Sequence, residues 1–235
     1  MTARLRAVTR AGACRPHRGT AGPFLMEQQA HRKACTMFVR SDQAAARETN
    51  SYAELTGAYT IDPVHSTIGF SVRHAMISNV RGRFTRYEGL VKLDGSSPAG
   101  SEAYVSVQMD SLDTGIQERD AHLKGPEFLD SATFPLMAFR STGIVPLDDD
   151  VFRLDGRLRI KDIELPLALD IAFGGAGQDA FGQHRIGFEG TATLRRSDWG
   201  LTWNSALETG GVLIGDKVTL TLDISAVRVD EVLAA

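Results

Sequence analysis

Three histidines of this 235-residue chain, His65, His74 and His122, suggest a metal site by their chemistry. His65 and His74 flank a segment of alternating apolar and polar residues, and His122 lies 48 positions beyond His74. Zinc sites need three or four protein ligands at fixed distances, and two of them usually come from nearby positions on one element. The histidine spacings supply no such pair. We therefore predict no metal site and no cofactor, and we expect the histidines to make structural hydrogen bonds.

A hydrolase site is suggested by Ser66, which follows His65 and lies close to Asp62 in the sequence. Adjacent side chains of a strand point to opposite faces, so Ser66 and His65 cannot work together as nucleophile and base. The chain also has no Gly-x-Ser-x-Gly nucleophile elbow. We predict that the protein has no catalytic residues and is not an enzyme.

Four arginines, Arg73, Arg81, Arg83 and Arg86, cluster around one predicted hairpin. Guanidinium groups bind phosphate or pyrophosphate through charge-assisted hydrogen bonds, so a lipid head group is one partner that the cluster fits. The alternation of apolar residues places the first three on the outer face of the sheet. We therefore favour a solvated outer face, and the head-group interpretation stays open as the alternative.

Two further charged motifs are interpreted as structural. Arg119 and Asp120 lie in a polar segment, where they are expected to cap a short helix or to anchor it against the barrel. The sequence Arg196-Ser-Asp-Trp199 is expected to stabilise the end of a strand. In both motifs we favour a structural role over contact with a ligand.

The elements that carry these residues are mostly strands, because large apolar side chains stand at every second position over several segments. Ile68, Phe70 and Val72 alternate with polar residues, and so do Leu220 and Leu222. Turn-forming residues separate nine candidate strands, over residues 58–61, 66–74, 82–93, 103–109, 136–144, 151–160, 165–173, 185–195 and 217–229. The pattern predicts an all-β fold, an antiparallel barrel of about eight strands.

One or two short helices interrupt the strands. The polar segment Gln117–Lys124 is followed by Gly125-Pro126, which is typical of a helix and its C-terminal stop. A second short helical or loop segment is expected over residues 204–208.

The inward positions of the predicted barrel are the candidate ligand-binding residues. A closed barrel of about eight strands either packs shut or holds one small apolar ligand, and periodicity alone does not choose between a solid core and a ligand-filled interior. If a ligand is present, we predict that it contacts Ile68, Phe70, Val72, Phe84, Val105, Val107, Met109, Phe139, Leu167, Leu169, Phe188 and Leu220.

Charge and composition exclude several classes of function. Residues 1–50 carry nine Lys and Arg against three acidic residues, which leaves 17 basic and 26 acidic residues from residue 51 onward. That acidic excess repels phosphate backbones, so nucleic acid is not an expected partner. No run of about 18 apolar residues is present, so the chain is not expected to span a membrane. Both cysteines, Cys14 and Cys35, precede the predicted barrel, whose stability must come from packing.

The first 55 residues differ in character from the rest of the chain. Their composition has no periodic apolar face, so we predict a disordered N-terminal extension over residues 1–55 and a barrel over residues 56–231. An alternative is that translation starts at Met26 or Met37. The longest apolar stretch, near Gly22 to Met26, is too short for a secretory signal, and we therefore expect a cytoplasmic location.

Five ordered segments resemble the YceI-like family. The opening, Tyr59 to His74 followed by Val80 to Phe84, is the first of them. The further segments are Ser111 to Gly115, Arg119 to Asp130, Phe134-Pro135 with Phe139, and Arg196 to Gly200. The resemblance covers about residues 59–229. It implies a lipocalin-like barrel that binds a long apolar chain such as a polyisoprenoid, with the short helix closing over part of it, and it also implies a homodimer.

We therefore predict a single barrel that binds, sequesters or transports a long-chain isoprenoid or a fatty lipid in its interior. Two alternatives stay open. One is an enzyme that acts on a lipid or small molecule in the same cavity. The other is a stress-associated structural barrel that has a closed core and no ligand.

Overall fold

The strands of the barrel are defined by a computed structural model, which describes residues 52–207 and 211–229. Residues 1–51, which make up most of the disordered extension predicted for residues 1–55, lie outside the described residues. The described part contains the strands β1 Gly57–Ile61, β2 Thr67–His74, β3 Ser78–Phe84, β4 Tyr87–Leu93, β5 Glu102–Gln108, β6 Leu112–Asp113, β7 Leu136–Asp148, β8 Val151–Ile160, β9 Ile163–Gln178, β10 His184–Arg195 and β11 Ile214–Arg228.

Eight of these strands close into an antiparallel ring. Their order is β1-β4-β5-β7-β8-β9-β10-β11, and β11 pairs back onto β1. The ring has no free edge, since every strand in it has two neighbours. The prediction of a lipocalin-like antiparallel barrel of about eight strands is therefore confirmed.

Strand β11 pairs with β10 along one edge and is long enough to pair with two strands along the other. Its last residues pair with β1, Ala226 opposite Ile61, while its earlier part pairs with β2, Leu220 opposite Phe70. Strand β3 then pairs with β2, and the short β6 pairs with the end of β3. The hairpin β2–β3 thus extends the wall of the barrel at one end.

Side chains alternate between the interior and the solvent along each strand, as the sequence pattern predicts. In β9, Leu167 and Leu169 are buried while Ala168 and Asp170 are exposed. Where this alternation must shift, the sheet is irregular: β9 has a bulge at Gly174 and Gly175, opposite Gly187 of β10. A bulge bends its strand and increases the local twist, which helps to close a barrel.

The predicted strand over residues 82–93 is wrong, because the structure forms two strands there. Phe84 and Tyr87 are both buried although they are three positions apart, which breaks the period of two. Between Phe84 and Tyr87 the backbone stops pairing with β2 and turns towards β5. In this turn the Thr85 N–H donates to the Ser111 carbonyl, and the Arg86 carbonyl accepts from the Gln108 N–H. The remaining predicted strands match observed strands, with ends that differ by a few residues.

The only α-helix of the described residues, α1, spans Gln117–Lys124, with the predicted bounds. Thr114 holds its first turn: the Asp120 carboxylate accepts the backbone N–H and hydroxyl of Thr114, and Arg119 donates to the Thr114 hydroxyl and carbonyl. The structural role predicted for Arg119 and Asp120 is confirmed, and it is local: both side chains bond to the residue that follows β6. The described residues of 204–208 form a loop with an isolated bridge between Ala206 and Val212, so the helical alternative there is wrong.

Candidate ligand-binding interior

The interior of the barrel contains two cavities that lie in opposite halves. Along β8, Phe152 and Leu154 line the first cavity, whereas Ile160 at the end of the strand lines the second. We call the first, of about 180 Å³, the Tyr52 cavity, and the second, of about 400 Å³, the helix cavity, after residues that line each of them. Met137 and Leu220 line both cavities and therefore lie at the boundary between them.

The Tyr52 cavity is surrounded by apolar side chains of β7, β8, β9 and β11 and covered by Tyr52, which precedes β1. The Tyr52 ring packs edge-on against Phe152 and Phe173, with centroids 6.1 and 5.5 Å away. Its hydroxyl donates to the Asp149 carbonyl and to the Asp150 carboxylate. Burial and the bond to Asp150 raise the pKa of the phenol to about 12. Tyr52 thus stays neutral and fixed at this end of the barrel.

The helix cavity has an apolar floor and a polar mouth. Phe70, Phe84 and other inward side chains line its walls, and five polar residues line it where α1 and the end of β2 meet. These five are Arg73, His74, Glu118, Arg119 and His122. An apolar chain in this cavity would therefore have several charged groups within reach at this end, and the further ionisable residue of the lining, Arg196, is bonded to backbone carbonyls.

His122 is held by contacts on several sides. Its Nε2 lies 3.0 Å from the Glu127 carboxylate, and its ring stacks edge-on against Phe128 and Trp203 at 5.0 and 4.7 Å. These contacts join α1 to the loop before β11. The prediction of a structural hydrogen bond is confirmed for His122, and likewise for His65, which lies 2.7 Å from Asp62.

Arg196 supports the helix cavity from the loop that follows β10. The side chain is buried, and its guanidinium donates to the carbonyls of Gly215, Leu201, Trp203 and Ile214. Burial lowers the pKa of Arg196. One cation thus satisfies two carbonyl groups of the loop after β10, those of Leu201 and Trp203, and two at the start of β11, those of Ile214 and Gly215. The structural role predicted for this motif is confirmed.

A second ionic cluster joins the start of β10 to the turn after β1. Arg185 donates to the carboxylates of Asp62 and Asp179, both at 2.7 Å, and all three side chains are largely buried. Hydrogen bonds from His65 and Arg185 hold the pKa of Asp62 far below its usual range. The nearby Ser66 hydroxyl donates to the Ser225 carbonyl rather than to His65. The residues that suggested a hydrolase therefore form a structural connection between β1 and β10.

The structure places eleven of the twelve predicted ligand-binding residues on the cavity walls. Ile68, Val105, Phe139, Leu167, Leu169 and Phe188 line the Tyr52 cavity, Phe70, Val72, Phe84 and Met109 line the helix cavity, and Leu220 lines both. Val107 differs. It is 3% exposed and belongs to the packed core, but it lines neither cavity. Val107 faces inward as predicted, and its contact with a ligand stays a prediction, because alternation gives the face of a residue but not its depth along the barrel.

Sequence reasoning did not find Tyr52 or the polar mouth. Tyr52 falls in the segment predicted to be disordered, and the sequence Tyr-Ala-Glu-Leu that it begins has no strand periodicity. His74, Glu118 and His122 meet only through the pairing of β2 with β11 and the placement of α1. The one available signal was that α1 overlaps the segment Arg119 to Asp130, which resembles the YceI-like family.

The four arginines of the β2–β3 region are exposed, as predicted for an outer face. Arg83 pairs with Asp113 and Arg86 with Asp110. Arg73, although exposed, also borders the helix cavity. In residues 52–207 and 211–229, no group of three or more His, Cys, Asp or Glu side chains is placed to hold a metal ion, and no helix has the length and hydropathy to cross a membrane.

A closed antiparallel barrel whose apolar interior holds two adjoining cavities defines the class of protein: a lipocalin-like β-barrel. The model of the YceI-like domain family matches residues 59–226. The chain belongs to the YceI-like domain family, which confirms the resemblance found in the sequence.

Curated relatives and solved structures agree with this assignment. A UPF0312 protein of Vibrio cholerae is 33% identical over 152 residues, which are 64% of this chain and 80% of that protein. The YceI protein of Campylobacter jejuni is similar in structure, with a TM-score of 0.58 at 27% identity over 67% of this chain and 90% of that one. A polyisoprenoid-binding domain from Saccharophagus degradans has the same fold, with a TM-score of 0.55 at 16% identity over 73% and 98%.

Proposed function

We propose that this protein binds and carries a long-chain apolar lipid, a polyisoprenoid or a fatty chain, along the interior of the barrel. The observation that carries the proposal is the adjoining pair of cavities, which share Met137 and Leu220 and are walled almost entirely by apolar side chains. Ligand pockets of proteins usually measure about 300–1,000 Å³. The volume of the helix cavity already lies in that range, and the Tyr52 cavity adds further space for a long ligand.

The energetics of such a ligand are favourable without a polar anchor. Burial of roughly twenty methylene groups gives about 16 kcal/mol of gross transfer free energy at about 0.8 kcal/mol each. The loss of ligand freedom and the ordering of the chain must be subtracted from this figure. What remains is sufficient for a carrier that holds its ligand by burial alone.

The comparisons support the chemical class of the ligand. The Saccharophagus degradans domain, which shares the fold, is described as polyisoprenoid-binding. An isoprenoid chain fits the two cavities because the chain is long, flexible and apolar, and the cavity walls are apolar too.

The proposal favours a carrier over an enzyme for a reason found at the helix cavity. Glu118 and His122 border it at its mouth, and His122 is already engaged by Glu127, Phe128 and Trp203. Arg196 also borders it, but its guanidinium is bonded to four backbone carbonyls. The walls around the middle of a bound chain are apolar. A carrier needs these walls, whereas an enzyme needs a free acid or base beside the reacting atoms.

Mass spectrometry of organic extracts from gently purified full-length protein tests the proposal. We expect an intact polyprenyl or acyl lipid at close to one molecule per chain. A chemically converted product would favour the enzyme. Repeated absence of any lipid, with the protein folded, would favour the ligand-free structural barrel.

A further inference from the structure

The tip of the β2–β3 hairpin presents two apolar side chains to the solvent. Met76 is 61% exposed and Ile77 is 84% exposed, in the turn that joins His74 to Ser78. The turn is held firmly. Ile77 N–H donates to the His74 carbonyl at 3.0 Å, and Ala75 N–H donates to the Leu213 carbonyl at 2.7 Å. The two apolar side chains are therefore displayed on a fixed loop.

The backbone of this turn makes the choice of residues unusual. Ala75 and Met76 have φ of 49° and 59°, the left-handed conformation that tight hairpins reserve for Asn and Gly. A residue with a long apolar side chain is a costly occupant of such a position. Neither Met76 nor Ile77 contributes to the buried core. The fold alone thus does not account for these two residues.

Basic residues surround the tip on the outer face of the sheet. Arg73 and Arg81 lie on β2 and β3, and Lys217 lies on β11, which pairs with β2. All three are exposed, and within the described part of the chain none of them forms an ion pair. Arg195 pairs in register with Lys217. The acids near these cations are Asp216 and, at the mouth of the helix cavity, Glu118. The local balance is positive on a barrel that is acidic as a whole.

The hairpin tip stands at the mouth of the helix cavity. Arg73, His74 and Leu213 line that cavity, and they are the residues that border the turn or bond to it. A surface that bound the tip would therefore face the opening through which a lipid reaches the interior.

We propose that the β2–β3 hairpin docks on an anionic lipid bilayer, with Met76 and Ile77 entering the headgroup region and Arg73, Arg81 and Lys217 facing the anionic lipids. The proposal rests on the proposed carrier function, since docking presents the helix cavity to the membrane. Protein interfaces bury about 800 Å² on each partner, which two protruding side chains do not provide. Apolar side chains flanked by cations are the combination that peripheral membrane binding requires.

Sedimentation of the full-length protein with vesicles tests the proposal. Vesicles of phosphatidylcholine containing phosphatidylglycerol are compared with vesicles of phosphatidylcholine alone, at low and at high salt. We expect binding to the anionic vesicles that weakens with salt. Met76→Ser combined with Ile77→Ser should lower the partition coefficient about tenfold or more. Arg81→Gln combined with Lys217→Gln should lower it about 30-fold.

Matched variants away from the hairpin control for general effects. Phe181→Ser changes a side chain that is 90% exposed in the turn between β9 and β10, and Lys92→Gln removes an exposed cation of β4. Both should bind vesicles as the unchanged protein does. The comparison is made within the full chain because residues 1–50 carry a net charge of +6, and any attraction due to them is common to every variant.

Three results would overturn the proposal. They are equal binding to both kinds of vesicle, hairpin variants that bind as tightly as the Phe181 control, and self-association that depends on Met76 and Ile77 in place of vesicle binding. The last would indicate that a second copy of the chain covers the tip. Lipid content measured on the same samples reports the carrier function separately, because the hairpin variants leave both cavity walls intact.

Discussion

Met137 and Leu220 lie on opposite sides of the eight-strand ring, and both line the two cavities of its interior. They form the boundary that divides the interior into two parts. Methionine is flexible and adapts to irregular spaces. A long apolar chain that occupied both cavities would therefore pass between Met137 and Leu220.

The first prediction concerns the boundary itself. Leu220→Trp places an indole where both cavities offer space, so we expect the bound lipid to fall to less than about half while the free energy of unfolding changes by less than about 1.5 kcal/mol. Val107→Trp is the matched control. Val107 is in the packed core and lines no cavity, so overpacking should cost about 1–3 kcal/mol. Lipid content and denaturant midpoint are measured on the same sample. Unchanged lipid content in folded Leu220→Trp protein would contradict the cavity assignment.

A second prediction concerns closure of the Tyr52 cavity. Tyr52→Ala removes the ring that packs on Phe152 and Phe173, so an apolar fluorescent probe should leave the barrel faster. Tyr52→Phe keeps the ring and loses only the hydroxyl bonds to Asp149 and Asp150, at a cost of about 1 kcal/mol in stability. Stopped-flow release of the probe distinguishes the two variants. Equal release from Tyr52→Ala and the unchanged protein would show that the ligand does not pass this end.

The third prediction is the pH dependence of the Asp62–Arg185 cluster. The folded-state pKa of Asp62 lies below its unfolded value, which is about 3.9. The stabilisation is thus fully present above about pH 4 and is lost as the pH falls through the folded-state pKa. Arg185→Gln should lower the thermal midpoint by several degrees at pH 7, and the difference should shrink in acid. Arg153→Gln, which breaks an exposed pair with Asp155, should have little effect at any pH. A difference that grows in acid would contradict this assignment.

A fourth prediction concerns the loop held by Arg196. Lysine keeps the charge but cannot reach four carbonyls in different directions, so Arg196→Lys should destabilise the protein by about 2–3 kcal/mol. Hydrogen exchange should increase first in the loop between Leu201 and Ile214. Arg195→Lys changes the exposed neighbour and should leave both measurements unchanged. Equal effects of the two changes would mean that the carbonyl bonds contribute nothing specific.

The alternation of apolar and polar residues was enough to predict which face of each strand points inward. Residues such as Phe70 and Leu169 stand at every second position, and this period survives in the fold because a strand turns successive side chains to opposite faces. The bounds of α1 could also be predicted from nearby residues, since Gly125-Pro126 is a signal that ends a helix. The family resemblance was contained in the same segments.

How far along the barrel each inward residue lies became visible in the folded structure and not before. Val105 and Val107 share one face of β5, yet the first lines a cavity and the second is packed. The pairing of Asp62 with Arg185, 123 positions apart, likewise depends on closure of the ring. The reason is physical: alternation reports the side of a strand, whereas depth, cavities and distant ion pairs depend on strand register, which is settled only when the sheet closes.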